Sequence, residues 1–362
     1  MHVPFCARRC DYCAFATWTD RHHLMADYVA ACVDDLTEQL GGVEPAGSVF
    51  LGGGTPSQLA AGLLHRLITS VPLAPGAEVT VECNPDDVDD GLMGSLVGAG
   101  VTRISLGVQS MSERSLSALG RTHDPRAVAS AVAAARRAGI TSLNLDLIYG
   151  AAGESLDEWS TTLRRVLELE PDHVSAYALT VEPGTPLAAD ARRHPDPDLQ
   201  ADAYLMADEV LTAAGLYWYE ISNFARPGHE CRHNLLYWRQ GDYRGFGCAA
   251  HSHVAGRRWW NVRTPERYVA AVAAGGSVVA GDERLDAEAA VVEALQLRLR
   301  TRWGIPAGAL DVGDDIADLV APGGDGLVLT RRGRLLANEV ALRLRAPSAA
   351  RGLGPGGPRQ RG

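Results

Sequence analysis

The alternation of short apolar runs with helical patterns is the feature that most limits how this chain can fold. Apolar runs that predict buried strands occupy 2–5, 48–54, 79–85, 102–110, 142–150 and 173–180. Helical patterns occupy 24–40, 57–70, 89–99, 112–119, 125–138 and 155–169. Strands that alternate with helices predict a parallel sheet with right-handed crossovers. Six units are too few for a closed eight-fold barrel, so we expect an α/β fold, a partial (β/α)6 TIM-like barrel.

Beyond residue 186 the alternation stops, and we predict a smaller C-terminal α+β domain. The expected domains are the barrel at 1–186, a connecting region at 187–264, a helical or winged module at 265–345 and a disordered Gly/Pro/Arg-rich tail at 346–362. In the two middle regions the patterns predict helix at 198–214, strand at 216–225 and helix at 265–300.

Composition excludes several classes of protein. The formal net charge of −10 argues against a general nucleic-acid-binding protein, which needs a basic surface. Residues 1–20 lack the apolar core of a signal peptide, and no apolar run is long enough to cross a membrane. Three of the seven cysteines crowd into the first 13 residues, which is unlike a disulfide framework. We therefore expect a cytoplasmic protein.

Polar and glycine-rich signatures stand at the carboxyl ends of the predicted strands. They are the cysteine loop, GGGTPS, Glu82 with Asn84, Gln109, Asp146 and Thr180. In β/α barrels this edge of the sheet carries the chemistry. Because these signatures share one edge, the sequence predicts a single site there.

The chain opens MHVPFCARRCDYCAF, with Cys6, Cys10 and Cys13 in a C-x3-C-x2-C spacing. Three thiolates in one short loop can hold a cubic iron–sulfur cluster and leave one iron open to a small molecule. A structural zinc ion is the alternative, and it would need a fourth ligand such as His2.

A second stretch, 228–254, is rich in metal-binding and aromatic side chains. Its candidate ligands are His229, Cys231, His233, Cys248, His251 and His253, and its aromatic residues are Tyr237, Trp238, Tyr243 and Phe246. These residues fit a second metal site or a haem pocket with an axial ligand. They fit equally a core turn in which His233 and Asn234 cap a helix. The residues alone leave all three interpretations open.

The cysteine spacing and GGGTPS resemble the radical S-adenosylmethionine (radical SAM) superfamily. HVPFC, ECNP, GVQS, LGRTHD, NLDLIYG, YEISNFA and the other signatures resemble, within it, the oxygen-independent coproporphyrinogen oxidase group. Two markers are similar to the HemW-type haem chaperone branch. Phe15 stands where the decarboxylases carry a further cysteine, and residues 233–238 read H-N-L-L-Y-W.

The resemblance implies a role for each site residue. Cys6, Cys10 and Cys13 would bind a [4Fe–4S] cluster, whose open iron the methionine part of S-adenosylmethionine chelates. At the methionine end of the cofactor, Gly53, Gly54 and Thr55 would lie beside the amino group, Glu82 would hold the ammonium, and Arg121 would pair with the carboxylate. Gln109 and Asp146 would face the ribose. Tyr12 and Thr180 would lie beside the adenine. Phe15 would form an apolar wall at the cluster, with core packing as the alternative for Tyr12 and Phe15. His233 would be the haem ligand, with Cys231 and Cys248 as weaker candidates.

The resemblance implies a carrier that binds haem and delivers it to respiratory proteins, with no catalytic residue assigned. It is compatible with a homodimer and with peripheral contact to a membrane. The alternatives are oxidative decarboxylation of coproporphyrinogen III and a zinc-bound structural protein. Members of the group usually have residues before HVPFC, including a tyrosine two places before the histidine. Since Met1 directly precedes His2, we expect the first strand to be nearly missing.

Overall fold

The computed structural model describes residues 1–345, so the predicted disordered tail at 346–362 lies outside the described residues. The chain forms two compact units. Unit one comprises Met1–Leu236 and Asp242–Glu283, and unit two comprises Tyr237–Gly241 and the chain from Arg284 onward. No helix within residues 1–345 is long and apolar enough to cross a membrane.

Six parallel strands form most of the main sheet of unit one, as predicted. They are β1 (His2–Val3), β2 (Ala46–Gly53), β3 (Leu73–Cys83), β4 (Arg103–Gln109), β5 (Ser142–Tyr149) and β6 (His173–Ala178), and each pairs with the next in chain order. The α/β class and the parallel sheet are confirmed.

The first strand is short, as expected, and its two edges are nevertheless hydrogen-bonded. On one side the backbone nitrogen of Gly52 donates to the Met1 carbonyl at 3.0 Å. On the other side the His2 nitrogen donates to the carbonyl of Phe246 at 2.9 Å. The loop around Phe246 therefore covers the edge that β1 would otherwise expose.

Seven helices follow or connect these strands. They are α1 (Met25–Leu40), α2 (Ala61–Thr69), α3 (Asp90–Gly98), α4 (Glu113–Ala118), α5 (Pro125–Ala138), α6 (Leu156–Leu167) and α7 (Pro197–Ala213). The start predicted for α5 is confirmed, because the Asp124 side chain accepts from the Arg126 nitrogen and Pro125 takes the first helical position.

The strand predicted at 216–225 is wrong in one respect, because two antiparallel strands occupy it. β7 (Tyr217–Glu220) and β8 (Asn223–Ala225) form a tight hairpin, and β8 pairs antiparallel with β6. The full sheet order is β1-β2-β3-β4-β5-β6-β8-β7. The turn residues Ile221 and Ser222 include no glycine, so the sequence pattern did not reveal the reversal.

Unit one continues with α8 (Arg232–Trp238), β9 (His251–Val254), β10 (Arg257–Asn261), α9 (Pro265–Ala273) and β11 (Val279–Arg284). The last two residues of α8 and the last residue of β11 belong to unit two. The strands form a second sheet in the order β11-β10-β9. The continuous helix predicted at 265–300 is therefore wrong. Gly275 and Gly276 end α9, Gly275 with a left-handed φ of 61°, and the chain then turns into β11.

Unit two has its own small core. It contains α10 (Ala287–Leu299), the hairpin β12 (Val320–Gly323) and β13 (Gly326–Leu329), α11 (Arg331–Leu335) and α12 (Ala337–Ala341). Leu299, Ile305 and Val340 are fully buried within it.

The two faces of the main sheet differ in character. In β2 and β3 the residues Val49, Leu51, Val79 and Val81 join the apolar core, which also contains α2 and α3 side chains. Successive strand residues point to opposite faces, so the alternate set at 48, 50, 52, 78, 80 and 82 lies on the other face. That face carries the candidate site.

Candidate functional site

The cysteine loop is held by backbone hydrogen bonds at its start. The Cys6 nitrogen donates to the Trp18 carbonyl at 3.1 Å, and the Trp18 nitrogen donates to the Pro4 carbonyl at 2.8 Å. The Nε2 atom of His22 lies 3.1 Å from the Cys6 carbonyl oxygen. Because a carbonyl can only accept, this histidine donates from Nε2. These bonds close the loop on itself between residues 4 and 22.

Asp11 fixes the middle of the loop. Its backbone nitrogen donates to the Leu119 carbonyl at 3.2 Å, and its carboxylate pairs with Arg193 at 2.7 Å. Gly120, with φ of 72°, lies so close that a Cβ there would be 2.7 Å from the Asp11 side chain. The loop is therefore docked on Leu119 and Gly120, which directly precede Arg121.

The glycine-rich segment after β2 lies directly against the first strand and the cysteine loop. The Gly54 nitrogen donates to the Val3 carbonyl at 2.8 Å, and the Thr55 nitrogen donates to the Phe5 carbonyl at 2.8 Å. A Cβ at Gly54 would lie 2.6 Å from the Val3 oxygen. Glycine is thus required here for the close approach of two backbone segments, a role that the sequence did not predict.

Two cysteine sulfurs have polar neighbours from other segments of the chain. The Thr55 hydroxyl lies 3.5 Å from Cys6 Sγ, and Arg121 Nη1 lies 3.6 Å from Cys10 Sγ. Burial raises the pKa of the thiols of Cys6 and Cys13. Thiolates at such positions need a nearby positive charge, which bound iron supplies, so the donor set fits a cluster.

Asn84 links these neighbours and was not among the predicted site residues. Its side-chain oxygen accepts from Arg121 Nη2 at 2.8 Å, and its Nδ2 lies 3.5 Å from the Thr55 hydroxyl. Arg121 Nη2 also donates to the Gly107 carbonyl at 2.8 Å. The ECNP motif at the end of β3 was the available signal, since a polar side chain at that edge faces the site.

Gln109 ends β4 in a strained conformation. Its φ is 63°, and the Ser110 nitrogen donates to the Val108 carbonyl at 2.8 Å across it. A hydrogen bond that spans one residue with positive φ is a γ-turn of the rare kind. Pairing with β5 shifts register between Leu106 and Gln109. Backbone strain of this kind clusters at functional sites, which supports the predicted placement of Gln109.

Glu82 and Asp146 place two half-buried carboxyl groups on the polar face. Burial, followed by the charge of Asp146, raises the pKa of Glu82 to about 8, although the Gly53 nitrogen donates to its Oε2 at 3.2 Å. Burial likewise raises the pKa of Asp146, which accepts from the Ser105 hydroxyl at 2.6 Å and from Asn144 Nδ2 at 2.8 Å. Such a pair favours a bound cation.

Three further predicted residues lie around this edge. Tyr12 packs, partly buried, against an apolar cluster that includes Leu119 and Leu179. Phe15 is 66% exposed, so core packing is the wrong alternative for it. Thr180 lies two residues beyond the end of β6, where it is exposed and donates to the Ala178 carbonyl at 3.3 Å.

His2, the proposed fourth zinc ligand, is engaged elsewhere. Its Nε2 lies 2.9 Å from the Ala16 carbonyl and must donate to it, while the rest of the ring packs over Gly53. Burial lowers the pKa of this imidazole to about 4. Across residues 1–345, no three His, Cys, Asp or Glu side chains converge on one metal-ion position, and this includes Cys6, Cys10 and Cys13. In a cluster each of these cysteines would bind a different iron, so a cluster does not require such convergence.

The candidate ligands of the 228–254 stretch have different neighbours, and no three of them converge on one metal-ion position within residues 1–345. His229 contacts Ser142, Cys231 contacts Glu78, Cys248 contacts Tyr28, His253 contacts Tyr243 and His251 contacts Trp260. Burial raises the pKa of the thiols of Cys231 and Cys248 to about 12.

His233 lies on the polar face near the start of β2, away from the carboxyl edge. Its Nδ1 is 3.0 Å from the Ser48 hydroxyl, and its ring stacks on Phe50 at 5.4 Å and 21°. Burial lowers the pKa of this imidazole to about 4. The capping role suggested for it is wrong, because Glu78 accepts from the backbone nitrogens of Arg232 and His233 at 3.0 Å each.

Comparison with known proteins agrees with this geometry. Residues 1–166 match the radical SAM superfamily. The chain is 42% identical to the heme chaperone HemW of Mycobacterium tuberculosis over 94% of this chain and 92% of that protein. It is 41% identical to the heme chaperone HemW of Escherichia coli over 70% of this chain and 69% of that protein.

A solved structure shares the fold. Coproporphyrinogen III oxidase (HemN) from Escherichia coli superposes with a TM-score of 0.82 at 23% identity, over 94% of this chain and 88% of that one. At this identity the likeness supports the fold, whereas the sequence relatives assign the branch. The chain belongs to the radical SAM superfamily and, within its coproporphyrinogen oxidase-like group, to the HemW branch.

Proposed function

We propose that this protein is a haem carrier that holds a [4Fe–4S] cluster on Cys6, Cys10 and Cys13 and binds S-adenosylmethionine beside it. The observation that carries the cluster proposal is the contact of Thr55 with Cys6 and of Arg121 with Cys10. These contacts join the segment after β2 and the loop between α4 and α5 to one cysteine loop. When bound, the cluster would supply an electron to the cofactor's sulfonium.

The residues around the loop suit the charged groups of S-adenosylmethionine. Arg121 would bind its carboxylate with the guanidinium that now bonds Asn84 and Gly107. Glu82 would hold its ammonium, since a cation offsets the cost of a buried carboxylate. Gly53, Gly54 and Thr55 would line the methionine end, Gln109 and Asp146 the ribose, and Tyr12 and Thr180 the adenine.

The proposed carrier role is supported by membership of the HemW branch, not by the cluster-binding residues. Phe15 stands where the decarboxylases carry a further cysteine, and its exposed ring would form an apolar wall at the cluster. Relatives along most of the chain are named heme chaperones. We propose that the protein delivers haem to respiratory proteins in the cytoplasm, with His233 as the haem ligand that the family motif implies. The proposal also includes a homodimer and peripheral contact with a membrane.

Anaerobic reconstitution with iron and sulfide tests the cluster. We expect about four irons per chain and the broad visible absorption of a cubane cluster, both lost in Cys13→Ser. Cys83→Ser is the matched control, because Cys83 is buried in the core and should leave the iron content unchanged. Stoichiometric zinc without iron would support the zinc-bound structural protein instead.

An assay for turnover of coproporphyrinogen III distinguishes a haem carrier from an oxidative decarboxylase of the same group. The reconstituted protein, with reductant and S-adenosylmethionine, should bind added haem with a Soret band and leave coproporphyrinogen III unchanged. Formation of the vinyl product would overturn the carrier proposal in favour of oxidative decarboxylation.

A further inference from the structure

One face of the second sheet gathers histidine, tryptophan and arginine side chains that the cluster site does not use. In the antiparallel pair of β9 and β10, His251 stands opposite Trp260 and His253 opposite Arg258. Directly opposed residues share a face, and residues two apart on a strand share it too. These four side chains therefore lie on one face of the sheet.

His251 is the most accessible imidazole on that face. Its side chain is exposed, and its ring stacks on the indole of Trp260 at 6.0 Å between centroids and 29° between planes. Within residues 1–345 its ring has no hydrogen-bond partner, whereas His253 is buried beside Tyr243. An exposed imidazole held in this way has a ring nitrogen available to a metal in solution.

The third strand leaves room for the indole. A Cβ at Gly281 in β11 would lie 2.6 Å from Trp260 Cζ2, so only glycine lets the indole lie against this strand. The Trp260 indole is consequently fixed by its contacts with β11 at Gly281 and with the His251 ring. The result is a rigid aromatic surface next to a metal-binding nitrogen.

Arg258 supplies a positive charge on the same face. It pairs with Glu283 at 3.4 Å, and the two side chains are 27% and 52% exposed. An exposed ion pair of this length contributes little free energy, so the guanidinium can exchange Glu283 for another carboxylate. Imidazole, indole and guanidinium together match the iron, the macrocycle and a propionate of haem.

His233, by contrast, is poorly placed for a planar macrocycle. Its ring is half-buried between Ser48 and Phe50, and Glu78 holds the backbone nitrogens of Arg232 and His233. A porphyrin must approach an imidazole nitrogen with open space on all sides of the metal–nitrogen axis. Reaching His233 would require the first turn of α8 to leave the sheet.

We propose that His251 is the axial ligand through which this protein holds haem, with Trp260 against the macrocycle and Arg258 on a propionate. This proposal rests on the proposed function, namely that the chain binds haem, and it replaces His233 as the iron ligand. The bond is a coordinate bond from the imidazole nitrogen to iron, with no change in oxidation state.

Titration of ferric haem into the full, cluster-loaded chain tests the ligand by absorption and electron paramagnetic resonance. We expect His251→Ala to weaken binding at least about tenfold and to shift the Soret band, because an axial ligand is lost. His65→Ala, which removes an exposed histidine on α2, is the matched control and should bind as the wild type does. Free imidazole added to His251→Gly should restore the wild-type spectrum.

Each other outcome is equally decisive. Wild-type affinity and spectrum in His251→Ala would overturn the proposal. Loss of haem binding in His233→Ala alone would assign the axial ligand to His233 in α8 instead. Failure of imidazole to rescue His251→Gly would assign the effect to altered folding and also overturn it. If the wild-type chain itself binds no haem, the proposed carrier function fails. The iron content and S-adenosylmethionine binding then still test the cluster and the cofactor site separately.

Discussion

Gly53 shows, at the scale of one residue, how the glycine-rich motif serves the fold before it serves a cofactor. Its φ of 106° is accessible to glycine and strained for other residues. The His2 imidazole occupies the space that a side chain at position 53 would need. Since His2 begins β1 and β1 leads into the cysteine loop, the position of Cys6 depends on this absence of a side chain.

Gly53→Ala should therefore both destabilise the protein and weaken the cluster. We expect the free energy of unfolding to fall by about 1–3 kcal/mol, from positive-φ strain and the clash with His2, with a lower iron content after reconstitution. The measurements are urea unfolding and iron analysis. Gly94→Ala is the control, because Gly94 is exposed inside α3 with open space around it and should gain about 0.5–1 kcal/mol. An iron content equal to the wild type in Gly53→Ala would contradict the expectation.

The sequence predicted which residues would meet at the site better than it predicted their conformations. Cys10 and Arg121 are 111 positions apart, and the family resemblance, not the position of strand ends, predicted that both lie at the site. The contacts of Asn84 and the γ-turn at Gln109 were missed. Both depend on side-chain orientation and strand register, which arise from pairing between strands and leave no local pattern.

At the scale of elements, α8 is an unusual helix because its N-terminus is capped by a side chain from β3. Glu78 is buried and accepts from the first two backbone nitrogens of the helix, and its Oε1 also lies 3.5 Å from Cys231 Sγ. The carboxylate also stabilises the positive end of the helix dipole. The short helix thus depends on one residue that precedes it by more than 150 positions.

Glu78→Ala should loosen α8 specifically. Two buried N–H groups would lose their acceptor, so we expect a loss of about 2–4 kcal/mol in stability and faster amide hydrogen exchange at 232–236. Glu38→Ala, at an exposed position of α1, should change neither quantity by more than about 0.5 kcal/mol. Unchanged protection at 232–236 in Glu78→Ala would show that packing alone holds the helix.

Elements with strong local signals were predicted well, and those set by tertiary pairing were not. Asp124 and Pro125 fixed the start of α5 because capping is local. The hairpin of β7 and β8 was predicted as one strand because Ile221 and Ser222 carry no glycine or asparagine signal for a turn. β11 was missed because its residues are mostly polar and exposed, with no periodic apolar face.

At the scale of the whole molecule, ionisable groups buried in unit one set the response to pH. All eleven histidines lie in unit one. Burial lowers the pKa of His2, His123 and His233 to about 4 and lowers that of His173 well below its usual value. Burial raises the pKa of Glu82 to about 8. The two kinds of group act in opposite directions.

These shifts predict that the stability of the iron-free protein rises up to about pH 6.5 and then levels off. As pH falls from about 6.5 to 4, the histidines take up protons in the unfolded chain but not in the folded one, so each removes about 1.4 kcal/mol per pH unit. As pH rises from about 4.5 to 8, Glu82 loses its proton in the unfolded chain but keeps it in the folded one, so it removes a similar amount. Between pH 4.5 and 6.5 the histidines outnumber Glu82, and above pH 6.5 the Met1 amino group, whose pKa burial lowers to about 6, offsets Glu82.

Urea unfolding of the iron-free chain at intervals from pH 5 to 8 measures both limbs. Glu82→Gln should let stability rise further between pH 6.5 and 8, because the amide cannot ionise and no longer offsets the Met1 amino group. His123→Leu should reduce the slope below pH 6.5 by about one proton, whereas His65→Leu, at an exposed position, should leave it unchanged. A stability that keeps rising from pH 6.5 to 8 in the wild type would mean that Glu82 is already ionised in the folded state. S-adenosylmethionine would then meet a preformed carboxylate, and its binding to the reconstituted protein would release no proton and take up none at Glu82.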